Sequence, residues 1–224
     1  MDWSAESVEV RVVDHVPSAF AALVVEAAPR SLALSGGDTA RRCYELLAVA
    51  DVAWGEVSIW FGDERWVPVD DPNSNEGMAR HAFIDQVDPS AVHSMRHAGA
   101  TIEEAAQAYD DLVAAAPPID LVHLGLGPDG HTASLFPGSA ALAESERFVV
   151  TNGDALHPHP RLTFTYPALT RARLLVFTVA GPEKREAFER VRAADDLPAA
   201  RADADRIVWL VDEAAFGGSE LTRS

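Results

Sequence analysis

The chain has 224 residues, of which 48% are hydrophobic, and a formal net charge of −17. This length predicts one domain or at most two small ones, and we expect a single domain over residues 1–224. The acidic excess argues against binding to nucleic acid or to anionic membranes. No apolar run approaches the ~20 residues of a membrane span, the acidic start MDWSAESVEV is unlike a signal peptide, and one cysteine, Cys43, excludes an intramolecular disulfide and a multi-cysteine metal site. We therefore expect a cytoplasmic protein.

Apolar, β-branched segments alternate along the chain with segments of helical periodicity. In chain order we predict strand VEVRVVD, helix 17–28, strand SLALSG, a helix to about residue 47, strand VSIWFG, helices 75–84 and 102–115, strands IDLVHLGLG and RLLVFTVAG, helix 183–193 and strand IVWLVD. Several strands are almost continuously apolar, as expected when both faces of a sheet are covered. The pattern predicts an α/β fold with a mostly parallel central sheet flanked by helices.

Four of the predicted strands end in unusual loops, which are SGGDT, FGDERWVP, GLGPDGHTASLFPG and AGPEK. In open parallel sheets, ligands bind beyond the carboxyl ends of the strands. We therefore expect these four loops to converge on one crevice.

The SGGDT loop is a candidate phosphate site. Gly36 and Gly37 allow close backbone approach, and the free amides at the following helix N-terminus suit a phosphate, with Ser35 and Thr39 as hydroxyl donors. The alternative is a tight turn in which Asp38 caps the helix. Both interpretations stay open on this loop alone, since the Asp38 carboxylate repels a phosphate unless it points away.

The loop GLGPDGHTASLFPG contains the spacing G-x-G-x-x-G of dinucleotide-binding loops. Pro137 follows too soon, however, for the long helix that such a loop opens. What the loop offers is Asp129 and His131 at a glycine-lined strand end. Histidine exchanges protons near neutral pH, and a nearby carboxylate can orient it. We therefore interpret His131 as a candidate acid–base residue.

The charged loop FGDERWVP contains a candidate for binding an anion. Arg65 follows Asp63 and Glu64 at a strand end, and arginine binds phosphate or carboxylate through two parallel hydrogen bonds. The alternative is a surface ion-pair cluster, with Trp66 packed on the core. One residue among 73–75 is expected to cap the next helix.

Lys184 is the only lysine of the chain, and the other 17 basic residues are arginines. It follows a Gly-Pro at a strand end, whereas Arg161 precedes the alternating stretch LTFTYPAL. His157 and His159 lie beside prolines, but no acidic or cysteine partner completes a metal-ligand spacing around them. We interpret both as loop residues and predict no metal site.

Taken in order, these loops resemble the 6-phosphogluconolactonase family. SGGDT resembles its Ser-Gly-Gly loop, DERWVPVDDPNSN its Asp-Glu-Arg-x-Val-Pro block with the later Ser-Asn, and GLGPDGHTASLFPG its Gly-x-Gly-x-Asp-Gly-His-Thr-Ala-Ser-Leu-Phe-Pro signature. RLTFTYPAL and AGPEK match its two late basic positions. The resemblance covers roughly residues 8–212, and Asp38 and Ala40 depart from the Ser and Pro that are common in the family.

The resemblance implies a metal-free, cofactor-free cytosolic enzyme that opens 6-phosphogluconolactone to 6-phosphogluconate in the oxidative pentose phosphate pathway. It implies a Rossmann-like fold similar to that of the glucosamine-6-phosphate deaminases. His131 would be the catalytic base, with Asp129 in its loop and Arg65 beside the sugar. The implied substrate- and phosphate-binding residues are Ser35, Gly36, Gly37, Thr39, Gly130, Arg161 and Lys184.

Three rival functions are weaker on the sequence. Glucosamine-6-phosphate deaminases carry a Glu five residues after the corresponding His, where this chain has Phe136. A sugar-phosphate sensor would need a DNA-binding module, for which the chain has no spare length or basic segment, and the loop context argues against an NAD oxidoreductase. The nucleophile elbow Gly-x-Ser-x-Gly is absent from the sequence. The assembly expected is a monomer or a small homo-oligomer.

Overall fold

A computed structural model describes residues 1, 3, 5–96, 99–153 and 157–217 of the chain. The strands are β1 (Val8–Val12), β2 (Ser31–Leu34), β3 (Ser58–Phe61), β4 (Asp63–Arg65), β5 (Ala91–Val92), β6 (Leu121–Gly125), β7 (Val149–Asn152), β8 (Arg161–Phe164), β9 (Leu174–Val179) and β10 (Arg206–Val211). The α-helices are α1 (Val16–Ala27), α2 (Asp38–Leu47), α3 (Asn75–Ala82), α4 (Ile102–Ala115), α5 (Tyr166–Thr170), α6 (Arg185–Arg192) and α7 (Glu213–Phe216). Short 3₁₀ turns cover Trp54–Glu56, Ile84–Gln86, Ala140–Ala143, Pro182–Lys184 and Pro198–Arg201.

Seven strands form one sheet in the order β1-β10-β9-β6-β2-β3-β5, and every neighbouring pair in it is parallel. The predicted parallel α/β architecture is therefore confirmed. The six strands predicted from sequence are β1, β2, β3, β6, β9 and β10, each at least one residue shorter than its predicted segment except β10, which gains Arg206 and loses Asp212. That the chain forms a single domain over residues 1–224 stays a prediction.

The central strands are apolar because both of their faces are covered. All six residues of β9 and the first four of β6 are buried. On α1, Val16, Phe20, Leu23 and Val24 form one buried stripe at helical spacing. None of the described helices combines the length and apolarity needed to cross a bilayer.

A second, antiparallel sheet of order β4-β8-β7 was not predicted. Its strands have only three or four residues, and β4 consists of the charged sequence DER, so neither length nor hydrophobic pattern revealed them. In the register of this sheet Arg65 lies opposite Arg161, and Asn152 pairs with Arg161 on the other side. The sheet thus brings the two predicted anion-binding arginines onto neighbouring strands.

The four loops singled out in the sequence follow β2, β3, β6 and β9, which are consecutive in the large sheet. Since these strands are parallel, their carboxyl ends lie at one edge of the sheet. The fold therefore places all four loops at the same edge, as predicted.

Candidate active site

A cleft of about 230 Å³ lies at this edge of the sheet. Seven of the ten predicted site residues line it, namely Ser35, Gly36, Gly37, Thr39, Arg65, His131 and Lys184. Asp129, Gly130 and Arg161 lie outside the lining. The lining also includes Asp63, Asn75, Gly125 and Thr178, which the sequence analysis did not propose as site residues. Asp63, Asn75 and Gly125 belong to motifs quoted for the family, whereas Thr178 belongs to none of them.

The wall formed by the SGGDT loop is the N-terminal end of α2. Gly37, not Asp38, is the N-cap, and its φ of 97° is in the region that favours glycine. The alternative in which Asp38 caps the helix is wrong, because the helix already includes position 38 and its cap residue has no side chain. Asp38 is the first helical residue, and its largely exposed carboxylate lies 3.8 Å from Arg41. The backbone amides of this end are therefore available to an anion in the cleft.

Gly36 is required by the close approach of Asn75. A Cβ atom at position 36 would lie 1.9 Å from Asn75 Oδ1. Asn75 Oδ1 accepts a hydrogen bond of 2.7 Å from Arg65 Nη1, and Asn75 Nδ2 donates to the main-chain oxygen of Asp63 at 2.9 Å. Asn75 therefore fixes the guanidinium of Arg65 against the SGGDT loop.

His131 and Asp129 form a tight pair in the loop after β6. Nδ1 of His131 lies 2.6 Å from Oδ1 of Asp129. Burial alone would raise the pKa of Asp129, but the hydrogen bond and charge of His131 outweigh it and lower this pKa to about 2. Asp129 is thus an ion that only accepts hydrogen bonds, so Nδ1 of a neutral His131 carries the proton and Nε2 keeps its lone pair.

Glycines shape the loop around this pair. A Cβ atom at Gly127 would lie 2.1 Å from His131 Nδ1 and 2.7 Å from Asp129 Oδ1. Gly130 has a φ of 86° and packs against Leu197, so its contacts are with the protein rather than with the cleft. His131 also contacts the edge of the buried Phe136 ring, with the ring centroids 5.2 Å apart.

Glu64 organises the segment between β4 and α3 from inside the protein. Its side chain is buried, and it accepts hydrogen bonds from the backbone N–H groups of Arg65, Asn75 and Glu76 and from the hydroxyl of Ser74. Burial raises the pKa of Glu64 in spite of these donors. The alternative of a surface ion-pair cluster at residues 63–65 is therefore wrong, because Asp63 and Glu64 are both buried and neither pairs with the Arg65 guanidinium.

Ser74 is the residue that caps α3. Its hydroxyl oxygen accepts from Gly77 N–H at 2.9 Å, which confirms the predicted cap within residues 73–75. Trp66 packs against the core, as predicted, and the Arg96 guanidinium stacks 3.4 Å above its ring.

The two late basic residues occupy different environments. Lys184 ends the 3₁₀ turn after β9, lines the cleft and forms no ion pair with a carboxylate of the described residues. Arg161 is the first residue of β8 and is buried beside β4. Arg161 lies opposite Arg65, and Lys184 lines the same cleft as the N-terminus of α2. The roles of both residues stay predictions.

His157 is closer to the site than its sequence spacing suggested. Its ring stacks on Phe136 at 4.1 Å and meets the His131 ring edge-on at 5.3 Å. One ligand atom each from Asp129, His131 and His157 lie within 4.8 Å of one another, a separation that a metal ion could bridge. The sequence argument against such a cluster was wrong in its premise, because the acidic partner comes from a different loop. His159, two residues on, is outside this cluster.

Comparison with known proteins agrees with this arrangement of loops. The family model described as glucosamine-6-phosphate isomerases/6-phosphogluconolactonase matches residues 4–209. The chain belongs to this family. A 6-phosphogluconolactonase of Synechocystis sp. is 42% identical over 208 residues, 86% of this chain and 85% of the relative. The 6-phosphogluconolactonase of Mycobacterium tuberculosis is 40% identical over 182 residues, 73% of this chain and 74% of the relative.

Solved structures of the glucosamine-6-phosphate isomerase/6-phosphogluconolactonase family share the fold. The 6-phosphogluconolactonase of Thermotoga maritima is 25% identical, with a TM-score of 0.80 over 92% of this chain and 100% of that one. The Trypanosoma brucei 6-phosphogluconolactonase is 26% identical, with a TM-score of 0.79 over 92% and 97%. A monomeric glucosamine-6-phosphate deaminase, 20% identical with a TM-score of 0.78 over 93% and 98%, shows that the fold is common to both activities.

Proposed function

We propose that the protein hydrolyses 6-phospho-D-glucono-1,5-lactone to 6-phospho-D-gluconate. The observation that carries the proposal is one cleft lined by His131, which is paired with Asp129, by Lys184 and by the N-terminus of α2. This arrangement offers a base at one point and cationic or amide donors at another. A phosphorylated lactone needs both, and the relatives named 6-phosphogluconolactonase support this substrate.

His131 acts as the general base of this reaction. Nε2 takes a proton from water as the water oxygen attacks the lactone carbonyl, and this kind of base catalysis contributes typically ~10²–10⁴-fold. Asp129 accepts from Nδ1–H and stabilises the imidazolium that forms. The imidazolium then returns the proton to the ring oxygen as the carbon–oxygen bond breaks. One water is added, and His131 ends neutral.

Arg65 supplies the donor that stabilises the oxyanion of the tetrahedral intermediate. Its Nη1 is held by Asn75 Oδ1 at 2.7 Å and by the carbonyl of Asn73 at 3.0 Å, so the guanidinium is oriented before substrate binds. A preorganised donor of this kind does not have to reorganise as charge develops. Arg65 is therefore assigned to the lactone carbonyl.

The phosphate is bound by Lys184 and the amides at the N-terminus of α2, which line the same cleft. Ser35 and Thr39 add hydroxyl donors there, and Gly36 and Gly37 admit close approach of the backbone. A phosphate held far from the carbonyl positions the ring for attack. Arg161, on the strand next to Arg65, is assigned to the same phosphate by the resemblance, and Gly130 contributes through the shape of its loop.

Phe136 distinguishes this proposal from glucosamine-6-phosphate deamination. The deaminases resemble this chain in the Asp-Gly-His loop but have a Glu at this position for the ring-opening proton transfers. Here the side chain is a buried phenyl ring that stacks on His157 and meets the His131 ring edge-on. The acid–base set for deamination is therefore incomplete.

The remaining properties belong to the same proposal. We expect a cytoplasmic enzyme without metal or cofactor, a monomer or small homo-oligomer, with no nucleic-acid partner, as the net charge of −17 favours. The decisive assay mixes purified protein with freshly generated 6-phosphogluconolactone and follows acid release. Acid release at the spontaneous rate would contradict the proposal, as would ammonia release from glucosamine 6-phosphate at a comparable rate.

A further inference from the structure

A buried chain of polar side chains runs beneath the cleft and has no part in the hydrolysis described above. The backbone N–H of Ser35 donates to Tyr44 Oη at 2.7 Å. Tyr44 Oη lies 2.8 Å from His123 Nδ1, and His123 Nε2 lies 2.9 Å from Thr178 Oγ1. Tyr44 and His123 are fully buried, whereas Ser35 and Thr178, at the two ends, line the cleft.

The order of protons along this chain is limited because His123 is neutral. Burial lowers the pKa of His123 to about 3. A neutral imidazole has one N–H donor and one lone pair, so one ring nitrogen donates and the other accepts. The chain can therefore run in only two directions.

In the first direction, Tyr44 donates to His123 Nδ1, His123 Nε2–H donates to Thr178 Oγ1, and the hydrogen of Thr178 is directed elsewhere. In the second, Thr178 donates to Nε2, Nδ1–H donates to Tyr44, and Tyr44 donates to the Ser35 carbonyl. The 2.8 Å contact between Tyr44 and Nδ1 is made in both directions, whereas the 3.2 Å contact between Tyr44 and the Ser35 carbonyl is used only in the second. A distance of 3.2 Å is long for an O–H···O hydrogen bond, so the first direction is favoured.

The position of Thr178 gives its hydroxyl hydrogen a destination. Thr178 lies next to the carboxyl end of β9, in register with Gly125 of β6, whose missing side chain leaves that wall open. Lys184 follows six residues later and lines the same cleft, as does the N-terminus of α2 at Gly37. A hydroxyl placed among these groups can donate a hydrogen bond to an anion bound in the cleft.

We propose that the Thr178 hydroxyl donates a hydrogen bond to the phosphate of the substrate, and that Tyr44 and His123 are positioning residues that hold this hydroxyl as a donor. Only the first proton direction frees the Thr178 hydrogen, so a bound phosphate stabilises that direction further. The identity of the anion rests on the proposed function, whereas the fixed donor rests on the hydrogen-bond chain.

Calorimetric titration of each variant with inorganic phosphate and with 6-phosphogluconate tests this without requiring turnover. Thr178→Val removes the hydroxyl at nearly constant volume and is expected to weaken both ligands by about 10–150-fold, as for a hydrogen bond to a charged group. Thr178→Ser keeps the hydroxyl and is expected to bind both within about 3-fold of wild type. Thr178→Ala replaces the valine variant if the latter does not fold.

Tyr44→Phe tests the positioning role. With no donor at Nδ1, His123 can place its proton there and accept from Thr178, so we expect weaker phosphate binding in the wild-type background and no further weakening in the Thr178→Val background. Tyr109→Phe is the matched control, because Tyr109 is equally buried and bonds to Phe61 instead. It is expected to leave phosphate affinity unchanged.

Wild-type phosphate affinity in both Thr178→Val and Thr178→Ala would overturn the assignment of the hydroxyl. Equal weakening by Tyr44→Phe in both backgrounds would overturn the positioning role, since it would show an effect independent of Thr178. If the protein bound phosphate in a Thr178-dependent way but released no acid from the lactone, the proposed function would fail while this inference stood.

Discussion

Oδ1 of Asp129 lies 2.6 Å from Nδ1 of His131, and the two residues are separated in the chain only by Gly130. So close a pair within one loop needs the glycine at position 127, where any side chain would overlap both groups. The geometry commits the His131 ring to one orientation. The other ring nitrogen is consequently left for a proton transfer, and this makes His131 the first residue to change.

His131→Ala is expected to lower kcat for lactone hydrolysis by roughly 10²–10⁴-fold, the usual contribution of a general base. Acid release should be measured with the spontaneous hydrolysis subtracted, alongside circular dichroism to check the fold. His81→Ala is a suitable control, since His81 is exposed on α3 outside the cleft. A folded His131→Ala protein that keeps wild-type kcat would remove His131 from the mechanism.

Asp129→Asn is expected to lower kcat at least about 10-fold, because an amide no longer fixes the proton on Nδ1.

The Asp129→Asn substitution also predicts a change in how stability depends on pH. The folded-state pKa of Asp129 is lowered to about 2, so its stabilising contribution is present above the unfolded value near 3.8 and is lost as the pH falls through about 2. Urea unfolding of wild type and Asp129→Asn between pH 5 and pH 2 measures their free energies of unfolding. The difference in favour of wild type should shrink as the pH falls. An advantage that grows on acidification would have the wrong sign.

Glu64→Gln is expected to destabilise the protein by about 1–3 kcal/mol. The amide nitrogen of glutamine would face a backbone N–H group that now donates a hydrogen bond to the buried carboxylate. The melting temperature should fall by roughly 3–10 °C. Activity of the folded protein should also fall, because these bonds hold Asn75 and, through it, Arg65. The control is Glu104→Gln, at the exposed capping box of α4, where a small change is expected. Equal stability losses in the two variants would argue against a special role of Glu64.

Two kinds of feature could be predicted from the sequence, namely hydrophobic patterns that recur along the chain and groups of residues that lie within one loop. Apolar strands such as β9 follow from continuous hydrophobic runs, and the Asp129–His131 pair from three adjacent positions. Contacts made by folding were not visible. The burial of Glu64 depends on the amides of α3, and a three-residue charged strand has no hydrophobic period that could reveal it.

Asn75 and His157 were underestimated for the same reason. Asn75 was interpreted as a residue near a helix start, and its contact with Arg65 comes from the way α3 meets β4. His157 meets His131 although the two residues lie in different loops, far apart in the sequence. Neither contact has a signature at fixed spacing, so a single sequence predicts the loops that meet but not which side chains touch.

Chelation should leave the lactonase activity unchanged, because base catalysis by His131 needs no metal. Added Zn²⁺ is expected to inhibit, since Asp129, His131 and His157 bring three ligand atoms within 4.8 Å and a bound ion would occupy the base. His157→Ala should reduce this inhibition and leave the metal-free rate unchanged. Loss of activity on chelation with recovery on adding a divalent ion would contradict the metal-free mechanism.

Lys184 offers the sharpest test of the phosphate end of the cleft. It is the only lysine of the chain, and no carboxylate of the described residues pairs with it. Lys184→Ala is expected to lower kcat/KM on the phosphorylated lactone by roughly 10–150-fold, which corresponds to about 1.5–3 kcal/mol for a charge-assisted hydrogen bond. Hydrolysis of unphosphorylated gluconolactone should barely change, since that substrate has no phosphate to lose.

Lys184→Arg tests whether Lys184 binds the phosphate through its compact ammonium group or is a surface residue without a role. The ammonium group reaches an anion from a flexible stem, whereas the planar guanidinium needs a different geometry, so we expect arginine to recover only part of the loss. Both variants should be assayed on both lactones. If each variant matches wild type on both substrates, Lys184 is a surface residue without a role. If each loses equally on both, the side chain acts near the carbonyl or in the fold, because only a contact with the phosphate can separate the two substrates.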